Sequence, residues 1–310
     1  MDAVRYLKIS DLVNRLKLEI ITKGSNFDTE VLTIPDVNRP GLQFVGFFDY
    51  FDPRRLQLLG KSELMFLHAL SPEERRKRFE DLFRYDIPAL VISRGLDVPK
   101  ECIEMAKKYD RTLLRTKQTT VVFSSMTVDL LNHELAPRIT RHGVLMDVYG
   151  EGVLILGDSG IGKSETAIEL IKRGHRLVAD DAVEISRVGD VLFGTAPELI
   201  RHYIEVRGIG VIDVRKLFGM GGVKSMTAID LVVQFERWED NKFYDRLGLD
   251  EQVIDIMNVS LPCVTIPVSA GRNLAGIVEL ATMNNRQKKY GENAAREFVE
   301  QVDSKIDRLM

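Results

Sequence analysis

The sequence predicts an α/β protein of two domains, an amino-terminal αβ domain and a carboxyl-terminal domain built around a phosphate-binding loop. Apolar strands and amphipathic helices alternate through the first half, which favours a parallel sheet covered by helices. The stretch GDSGIGKS (157–164) has the spacing of a phosphate loop. A proline, Pro137, ends a helical stretch midway along the 310 residues. We therefore expect a first domain at 1–130, a linker at 131–137 and a second domain at 138–310.

Periodicity and helix signals predict the elements of the first half. SPEERRKRFEDLF shows the clearest start, since Ser71 can cap a helix that has Pro72 in its first position and Glu73 and Glu74 in its first turn. In chain order we expect a helix in AVRYLKISDLVNRL, a strand in LKLEIIT, a helix start at Pro53, the SPEERRKRFEDLF helix, a strand in ALVIS, a helix in VPKECIEMAKKYD, a strand in TLLRT and a helix in TTVVFSSMTVDLLNHELAP. No catalytic constellation is visible here, so we expect a regulatory or assembly role.

Composition limits the partners. A net charge of −3 gives no basic excess, so we expect no nucleic-acid partner, and no uninterrupted apolar stretch reaches the length of a membrane span. The two cysteines, Cys102 and Cys263, are far apart and lie in no C-x-x-C pattern. A reducing compartment fits this usage, and we expect a cytoplasmic protein with no membrane partner.

The phosphate loop has the residue types that its chemistry needs. Its glycines let backbone N–H groups turn toward phosphate oxygens, Lys163 can reach the β and γ oxygens, and the Ser164 hydroxyl can bind Mg²⁺. An apolar strand, GVLILG, precedes the loop and pairs in a predicted hairpin with GVLMDVYG, while a helix, SETAIELIKRG, follows. The context is that of a nucleotide-binding loop.

Two adjacent acids close the next apolar segment, HRLVADDAVEI, which we expect to form a strand beside the strand of the loop. Strand alternation would point Asp180 and Asp181 in opposite directions, so both face one site only if the strand ends or bulges there. One of them could hold a metal ion while the other accepts a hydroxyl proton.

The motifs of other protein classes that contain such a loop are not found in this sequence. The guanine-binding N-K-x-D pattern is absent, since NKFYD (241–245) has one residue too many, and no Arg-rich lid is evident. Elimination favours a kinase-like enzyme. A small-molecule kinase, a carboxykinase-like enzyme and a non-catalytic nucleotide sensor stay open as alternatives.

Further motifs specify a family. RHG, GDSGIGKSE, ADD, IEVRGIG, YDRLG and P-V-x-x-G-R-N, in this order and spacing, resemble the bacterial HPr kinase/phosphorylase family over essentially the whole chain. The resemblance implies an amino-terminal αβ domain followed by a P-loop kinase domain of the PEP-carboxykinase-like type. It also implies a bifunctional enzyme, which phosphorylates a serine of the phosphocarrier HPr with ATP or pyrophosphate and removes that phosphate by phosphorolysis.

The resemblance assigns residue roles. His142 and Lys163 would contact phosphates. Asp181 would be the base that deprotonates the serine in phosphorylation and the acid that reprotonates it in dephosphorylation. Arg246 would be a further catalytic residue. Three residues would hold Mg²⁺: Ser164, Asp180 and Glu205. The nucleotide or pyrophosphate would lie on Gly157, Asp158, Ser159, Gly160, Ile161, Gly162, Lys163 and Ser164. Supporting positions would be Arg207, Gly208 and Gly210 of the signature segment (204–213), and Pro267, Gly271 and Arg272 of a loop linked mainly to dephosphorylation.

The resemblance also implies partners. These are HPr as substrate, inorganic phosphate and fructose bisphosphate as small-molecule effectors, and further copies of the chain in a homohexamer whose terminal helices help to hold HPr. The implied role is control of carbon catabolite repression. One departure stands out: the family pattern carries Arg-Pro where this chain has Ser269 and Ala270, so one cation of the P-V-x-x-G-R-N loop is missing.

Overall fold

The computed structural model describes residues 5–239, 242, 251–269 and 271–307. The chain divides into two units, Met1–Pro137 and Arg138–Met310. Each unit contains its own clusters of buried apolar side chains. No helix in the described part of the chain is long and apolar enough to cross a membrane.

The first unit is an αβα sandwich around a five-stranded sheet of order β2-β7-β6-β5-β4. Strands β4 to β7 are parallel, and β2 is antiparallel to β7. Its elements are β1 (Leu7–Lys8), α1 (Ile9–Leu16), β2 (Glu19–Thr22), β3 (Val31–Leu32), β4 (Val37–Asn38), β5 (Leu56–Leu59), α2 (Lys61–Ala69), α3 (Pro72–Phe83), β6 (Leu90–Ile92), α4 (Lys100–Lys108), β7 (Leu113–Arg115) and α5 (Thr120–Leu135). The parallel sheet predicted from strand and helix alternation is confirmed.

Side-chain alternation along the strands explains this layering. In β6, Leu90 and Ile92 face a cluster formed with α2, α3 and α4, whereas Val91 faces a cluster formed with α1 and α5. Successive side chains of a strand point to opposite faces, so an all-apolar strand such as this one needs a helical layer on each side.

One expected element is absent. The predicted helix start at Pro53 was wrong, since the chain turns there and enters β5 three residues later. The Asp52 carboxylate accepts a hydrogen bond from the Arg54 backbone N–H at 3.1 Å, which stabilises a local turn instead of a helix. The Ser71 cap at the start of α3 is confirmed, with Pro72 in the first position.

The second unit contains two larger sheets and a small hairpin sheet. Their orders are β11-β9-β10-β17-β19-β18, β16-β13-β12-β8 and β14-β15. The elements are β8 (Arg138–His142), β9 (Val144–Val148), β10 (Glu151–Leu156), α6 (Lys163–Lys172), β11 (Arg176–Ala179), β12 (Ala182–Val188), β13 (Val191–Thr195), β14 (Tyr203–Val206), β15 (Gly210–Asp213), α7 (Val214–Phe218), β16 (Met226–Ala228), β17 (Leu231–Arg237), β18 (Gln252–Ile256), β19 (Val259–Val268), α8 (Leu274–Lys289) and α9 (Ala294–Asp307). The predicted β9–β10 hairpin is confirmed.

The six-stranded sheet is covered on both faces. Alternate residues of β9 point to opposite faces of this sheet. Val144 and Met146 pack with α6 and α8 on one face, while Leu145 packs against residues of the four-stranded sheet on the other. Strands β10, β17 and β19 are parallel, so their carboxyl ends meet at one edge. The phosphate loop leaves the sheet at that edge, where ligands of parallel α/β sheets commonly bind.

Candidate active site

The phosphate loop runs from the end of β10 to the start of α6. Gly157 has φ +145°, and a Cβ atom there would lie 2.6 Å from the Phe235 carbonyl oxygen of the neighbouring strand β17. Gly160 has φ +77°. Since L side chains rarely adopt these conformations, the two positions need glycine for the loop to wrap around an anion.

Lys163 lies inside this loop with 6% of its surface exposed. Its Nζ donates hydrogen bonds to the carbonyl oxygens of Gly157 (2.8 Å) and Asp158 (2.9 Å), which closes the loop into a ring. Burial lowers the pKa of the Lys163 ammonium. Phosphate oxygens bound inside the ring would stabilise this ammonium in place of the water that it has lost.

The two adjacent aspartates lie where the chain passes from one sheet to the other. The predicted neighbour of their strand was wrong, because β11 pairs with β9 and the loop strand β10 pairs with β9 and β17. The register shifts between Leu177 and Ala179, and Asp181 adopts φ +67° before β12 begins. This irregular step breaks the strand alternation, so Asp180 and Asp181 both face the same pocket.

Asp180 is buried, with 4% of its surface exposed. It accepts hydrogen bonds from Ser164 Oγ (2.9 Å) and from the Glu205 backbone N–H (3.1 Å). Burial raises the pKa of its carboxyl group, and it forms no ion pair within the described residues. A divalent cation would supply the missing positive charge, so these oxygen donors fit Mg²⁺.

Asp181 has the opposite environment, with 73% of its side chain exposed. Its Oδ1 lies 3.0 Å from His142 Nδ1. The contact follows from the antiparallel pairing of β8 with β12, which sets His142 opposite Ala182 and lets Gly143 N–H donate to the Asp181 carbonyl at 3.1 Å. An exposed carboxylate held by an imidazole can accept a proton from a group that approaches from solvent.

The β14–β15 hairpin brings the signature segment to the pocket. Ile204 is buried and anchors the hairpin in the core, while Glu205 and Arg207 line the pocket. A Cβ on Gly160 would lie 2.7 Å from Arg207 Nη1, so the guanidinium rests on the phosphate loop. Gly208 lies in the exposed turn between the two strands, and Gly210 begins β15.

The pocket gathers most of the predicted residues. Those that line it are His142, Ser159, Gly160, Gly162, Lys163, Ser164, Glu165, Asp180, Asp181, Glu205 and Arg207. Sequence reasoning missed Glu165, whose position in the first turn of α6, directly after Ser164, was the available signal. Among the described residues no group of three His, Cys, Asp or Glu side chains could hold a metal by itself, so phosphate oxygens and water would complete the Mg²⁺ shell.

Eight predicted positions that the structure describes are not in this lining: Gly157, Asp158 and Ile161 of the phosphate loop, Gly208 and Gly210 of the signature segment, and Pro267, Gly271 and Arg272. Arg246 lies outside the described residues. Pro267 lies near the end of β19, and Gly271 and Arg272 lie between β19 and α8. Arg272 Nη1 donates to the Pro267 carbonyl oxygen at 2.6 Å. This bond closes the described part of the loop on itself.

Comparisons with known proteins agree with this geometry. Residues 133–302 match the family model of the HPr Serine kinase C-terminal domain, and residues 7–131 match that of the HPr Serine kinase N terminus. The chain belongs to the HPr kinase/phosphorylase family. It is an α/β member of a family of phosphotransferases.

Two similar proteins match nearly the whole chain, and one solved structure matches about half of it. The HPr kinase/phosphorylase of Caldanaerobacter subterraneus is 53% identical over 94% of this chain and 96% of its own length. That of Caldicellulosiruptor bescii is 50% identical over 98% of each chain. The solved structure of the Hpr(Ser) kinase/phosphatase from Coxiella burnetii is 34% identical, with a TM-score of 0.48, over 52% of this chain and 98% of its own.

Proposed function

We propose that this chain transfers a phosphoryl group to a serine of HPr from ATP or pyrophosphate, and removes it by phosphorolysis. The observation that carries the proposal is the pair of unlike aspartates beside the phosphate loop. Asp180 is buried next to Ser164, and Asp181 is exposed next to His142. Family membership supplies the identity of the protein substrate.

In the kinase direction, the serine hydroxyl of HPr gives its proton to Asp181 as its oxygen attacks the terminal phosphorus. The bond from that phosphorus to the leaving oxygen of ADP breaks. Lys163 and Arg207 stabilise the phosphate charge, since transfer of this kind depends on positioning and charge neutralisation. Mg²⁺, held by Ser164, Asp180 and Glu205, would neutralise phosphate oxygens when bound.

In the reverse direction, an oxygen of inorganic phosphate attacks the phosphorus of phosphoserine. The serine oxygen leaves and takes a proton from Asp181, and pyrophosphate is the second product. His142 holds the Asp181 carboxyl group in place through both directions. One acid–base residue therefore serves both reactions, as microscopic reversibility favours.

Replacing Asp181 by Asn tests the proposal. The variant would lose about 10²- to 10⁴-fold of both the kinase and the phosphorolysis rate, because it cannot exchange a proton with the serine. ATP binding would persist, since Asp181 is exposed and Lys163 remains. Asp190→Asn, in the exposed turn between β12 and β13, is the matched control. Unchanged phosphorylation of HPr by Asp181→Asn would overturn the assignment.

The alternatives give different products. With ATP, Mg²⁺ and purified HPr, only a kinase of HPr yields a phosphoserine protein, whereas a small-molecule or carboxykinase-like enzyme leaves HPr unmodified. A nucleotide sensor would bind ATP without turnover. The exposed Asp181 argues against a nucleotide sensor, because binding of ATP alone does not require an exposed carboxylate that can accept a proton.

The family resemblance extends the proposal to regulation and assembly. We propose a cytoplasmic homohexamer that controls carbon catabolite repression, responds to fructose bisphosphate and inorganic phosphate, and uses residues 1–130 for regulation or assembly. Exposed apolar side chains on α9, Phe298 and Val302, are consistent with a partner on that helix. Light scattering of the purified protein would test the hexamer, and assays with and without fructose bisphosphate would test the response.

A further inference from the structure

A cluster of polar side chains lies at the end of α6 that is remote from the phosphate loop. It consists of Tyr149, Arg173, His175, Asn273 and Glu279, and we call it the Glu279 cluster. Helix α6 has ten residues, so the backbone of Arg173, which follows its last residue, is about 15 Å along the helix axis from the start of the helix. None of its members lines the active-site pocket.

Arg173 joins α6 to α8. Its Nη1 donates to Glu279 Oε2 at 2.8 Å, and its Nη2 donates to Asn273 Oδ1 at 3.3 Å. Arg173 is the C-cap residue of α6, and Asn273 is the N-cap residue of α8. The planar guanidinium, with two separate donors, can hold both acceptors in a fixed relation.

Glu279 gathers the remaining contacts. Its Oε1 lies 2.9 Å from His175 Nε2 and accepts a hydrogen bond from the Tyr149 hydroxyl at 3.4 Å. The Tyr149 ring also contacts the His175 ring edge-on, with centroids 4.6 Å apart. Since His175 and Glu279 are largely buried, solvent weakens these contacts less than it would on an open surface.

The start of α8, which this cluster holds, lies against the phosphate loop. Asn273 Oδ1 accepts a hydrogen bond from the Gly276 backbone N–H at 3.0 Å, which fixes the first turn. The next residue, Leu274, comes within 3.8 Å of the position of a Cβ on Gly162, and it packs on the core cluster that contains Ile161. Displacing the first turn of α8 would therefore change the support of the loop.

We propose that Arg173, His175 and Glu279 are positioning residues that fix the first turn of α8 and, through Leu274, the shape of the phosphate loop. The inference rests on the proposed function, since it concerns the same phosphate site. These three residues would thereby help to determine the affinity of the site for small phosphate ligands, pyrophosphate and inorganic phosphate.

The effect depends on how much of a ligand the loop holds. Pyrophosphate and inorganic phosphate have no part beyond their phosphates, so their affinity follows the placement of the loop N–H groups. ATP carries a base and a ribose that bind elsewhere, so a displaced loop costs it a smaller share of its contacts. Loosening the cluster therefore raises the KM for pyrophosphate more than the KM for ATP.

The single tryptophan gives a readout that needs no HPr. Trp238 is the only tryptophan in the sequence, and its backbone N–H donates to the Val268 carbonyl oxygen at 3.1 Å, beside the segment that leads to Asn273. Its intrinsic fluorescence can be titrated with pyrophosphate and, separately, with ATP. We expect Arg173→Gln and Glu279→Gln to weaken pyrophosphate binding about 3- to 30-fold and ATP binding distinctly less.

Three comparisons make the test decisive. Lys172→Gln removes a neighbouring cation whose ion pair stays within α6, and it should leave both affinities unchanged. Arg173→Lys keeps the charge and should recover part of the affinity. Steady-state kinetics with HPr should show a raised KM for pyrophosphate at nearly constant kcat.

The outcomes separate this inference from the proposed function. Equal losses for pyrophosphate and ATP, or none, in folded Arg173→Gln would overturn the positioning role even if HPr is phosphorylated. Failure of the wild-type protein to phosphorylate HPr would refute the proposed function, while the fluorescence titrations would still measure the effect of the cluster on phosphate binding.

Discussion

Asp180 and Asp181 are adjacent in the chain but have opposite environments. The left-handed conformation of Asp181 lets one carboxylate lie under Ser164 while the next lies in solvent beside His142. A buried carboxylate next to a metal is a poor base, because the metal charge favours its ionised form. These environments are the reason that we propose metal binding for Asp180 and proton transfer for Asp181.

Asp180→Asn should separate metal binding from folding. The amide keeps the shape and removes a buried charge, so we expect the ligand-free variant to be at least as thermally stable as the wild type. The increase in Tm that Mg²⁺ with pyrophosphate gives the wild type should disappear. Thermal unfolding measures both effects, and a preserved increase would exclude Asp180 as a ligand.

The environment of Glu279 predicts that the free energy of unfolding of the protein depends on pH. Burial alone would raise the pKa of its carboxyl group, but hydrogen bonds from His175 and Arg173 outweigh burial and lower that pKa. A carboxyl group with a lowered folded pKa stabilises the protein above its unfolded pKa, about 4.3, and loses that effect as pH falls through the folded value. The groups that face it are His175, Arg173 and Tyr149.

Urea unfolding of wild type and Glu279→Gln measures this dependence. The wild type should be more stable at pH 7, and the difference between the two proteins should narrow below about pH 4.3. A difference that stays constant to pH 3 would mean that Glu279 acts without its charge.

At the scale of elements, local signals determined some boundaries and tertiary pairing determined others. The start of α3 was predictable because its cap, Ser71, and Glu74 bond to each other across one turn. The place of β11 was not predictable, since its pairing with β9 depends on contacts between segments about 30 residues apart. Pro53 failed as a helix signal because Asp52 bonds within the turn instead.

Ser71→Ala tests the capping box of α3. Losing the hydroxyl leaves the Glu74 backbone N–H without its acceptor, and we expect the free energy of unfolding of the first unit to fall by about 0.5–2 kcal/mol. Ser62→Ala on α2 is a matched control, since no side-chain hydrogen bond of Ser62 occurs in the described residues. Denaturant unfolding followed by circular dichroism gives the comparison, and equal stability of the two variants would refute the role of the cap.

At the scale of the whole molecule, the described residues form two units with separate cores. The boundary falls between Pro137 and Arg138, and all residues that line the active-site pocket come from the second unit. An independent core is what allows a segment to fold by itself.

A chain of residues 138–310 should therefore fold and bind ATP on its own. Circular dichroism would show its folding, and a rise in Tm with ATP and Mg²⁺ would show binding. The Lys163→Gln form of the same fragment is the control for the phosphate loop. A fragment that stays unfolded would show that the second unit requires residues 1–137.

The sequence by itself determined the αβ alternation, the phosphate loop, the Ser71 cap and the family, because these depend on local spacing and on motif order. Only the tertiary structure decided which strand lies beside the loop, how Asp180 and Asp181 divide into buried and exposed groups, and that His142 meets Asp181. These contacts join residues from about 30 to about 80 positions apart through strand pairing. Such pairing follows from the packing of the whole sheet, which local periodicity does not encode.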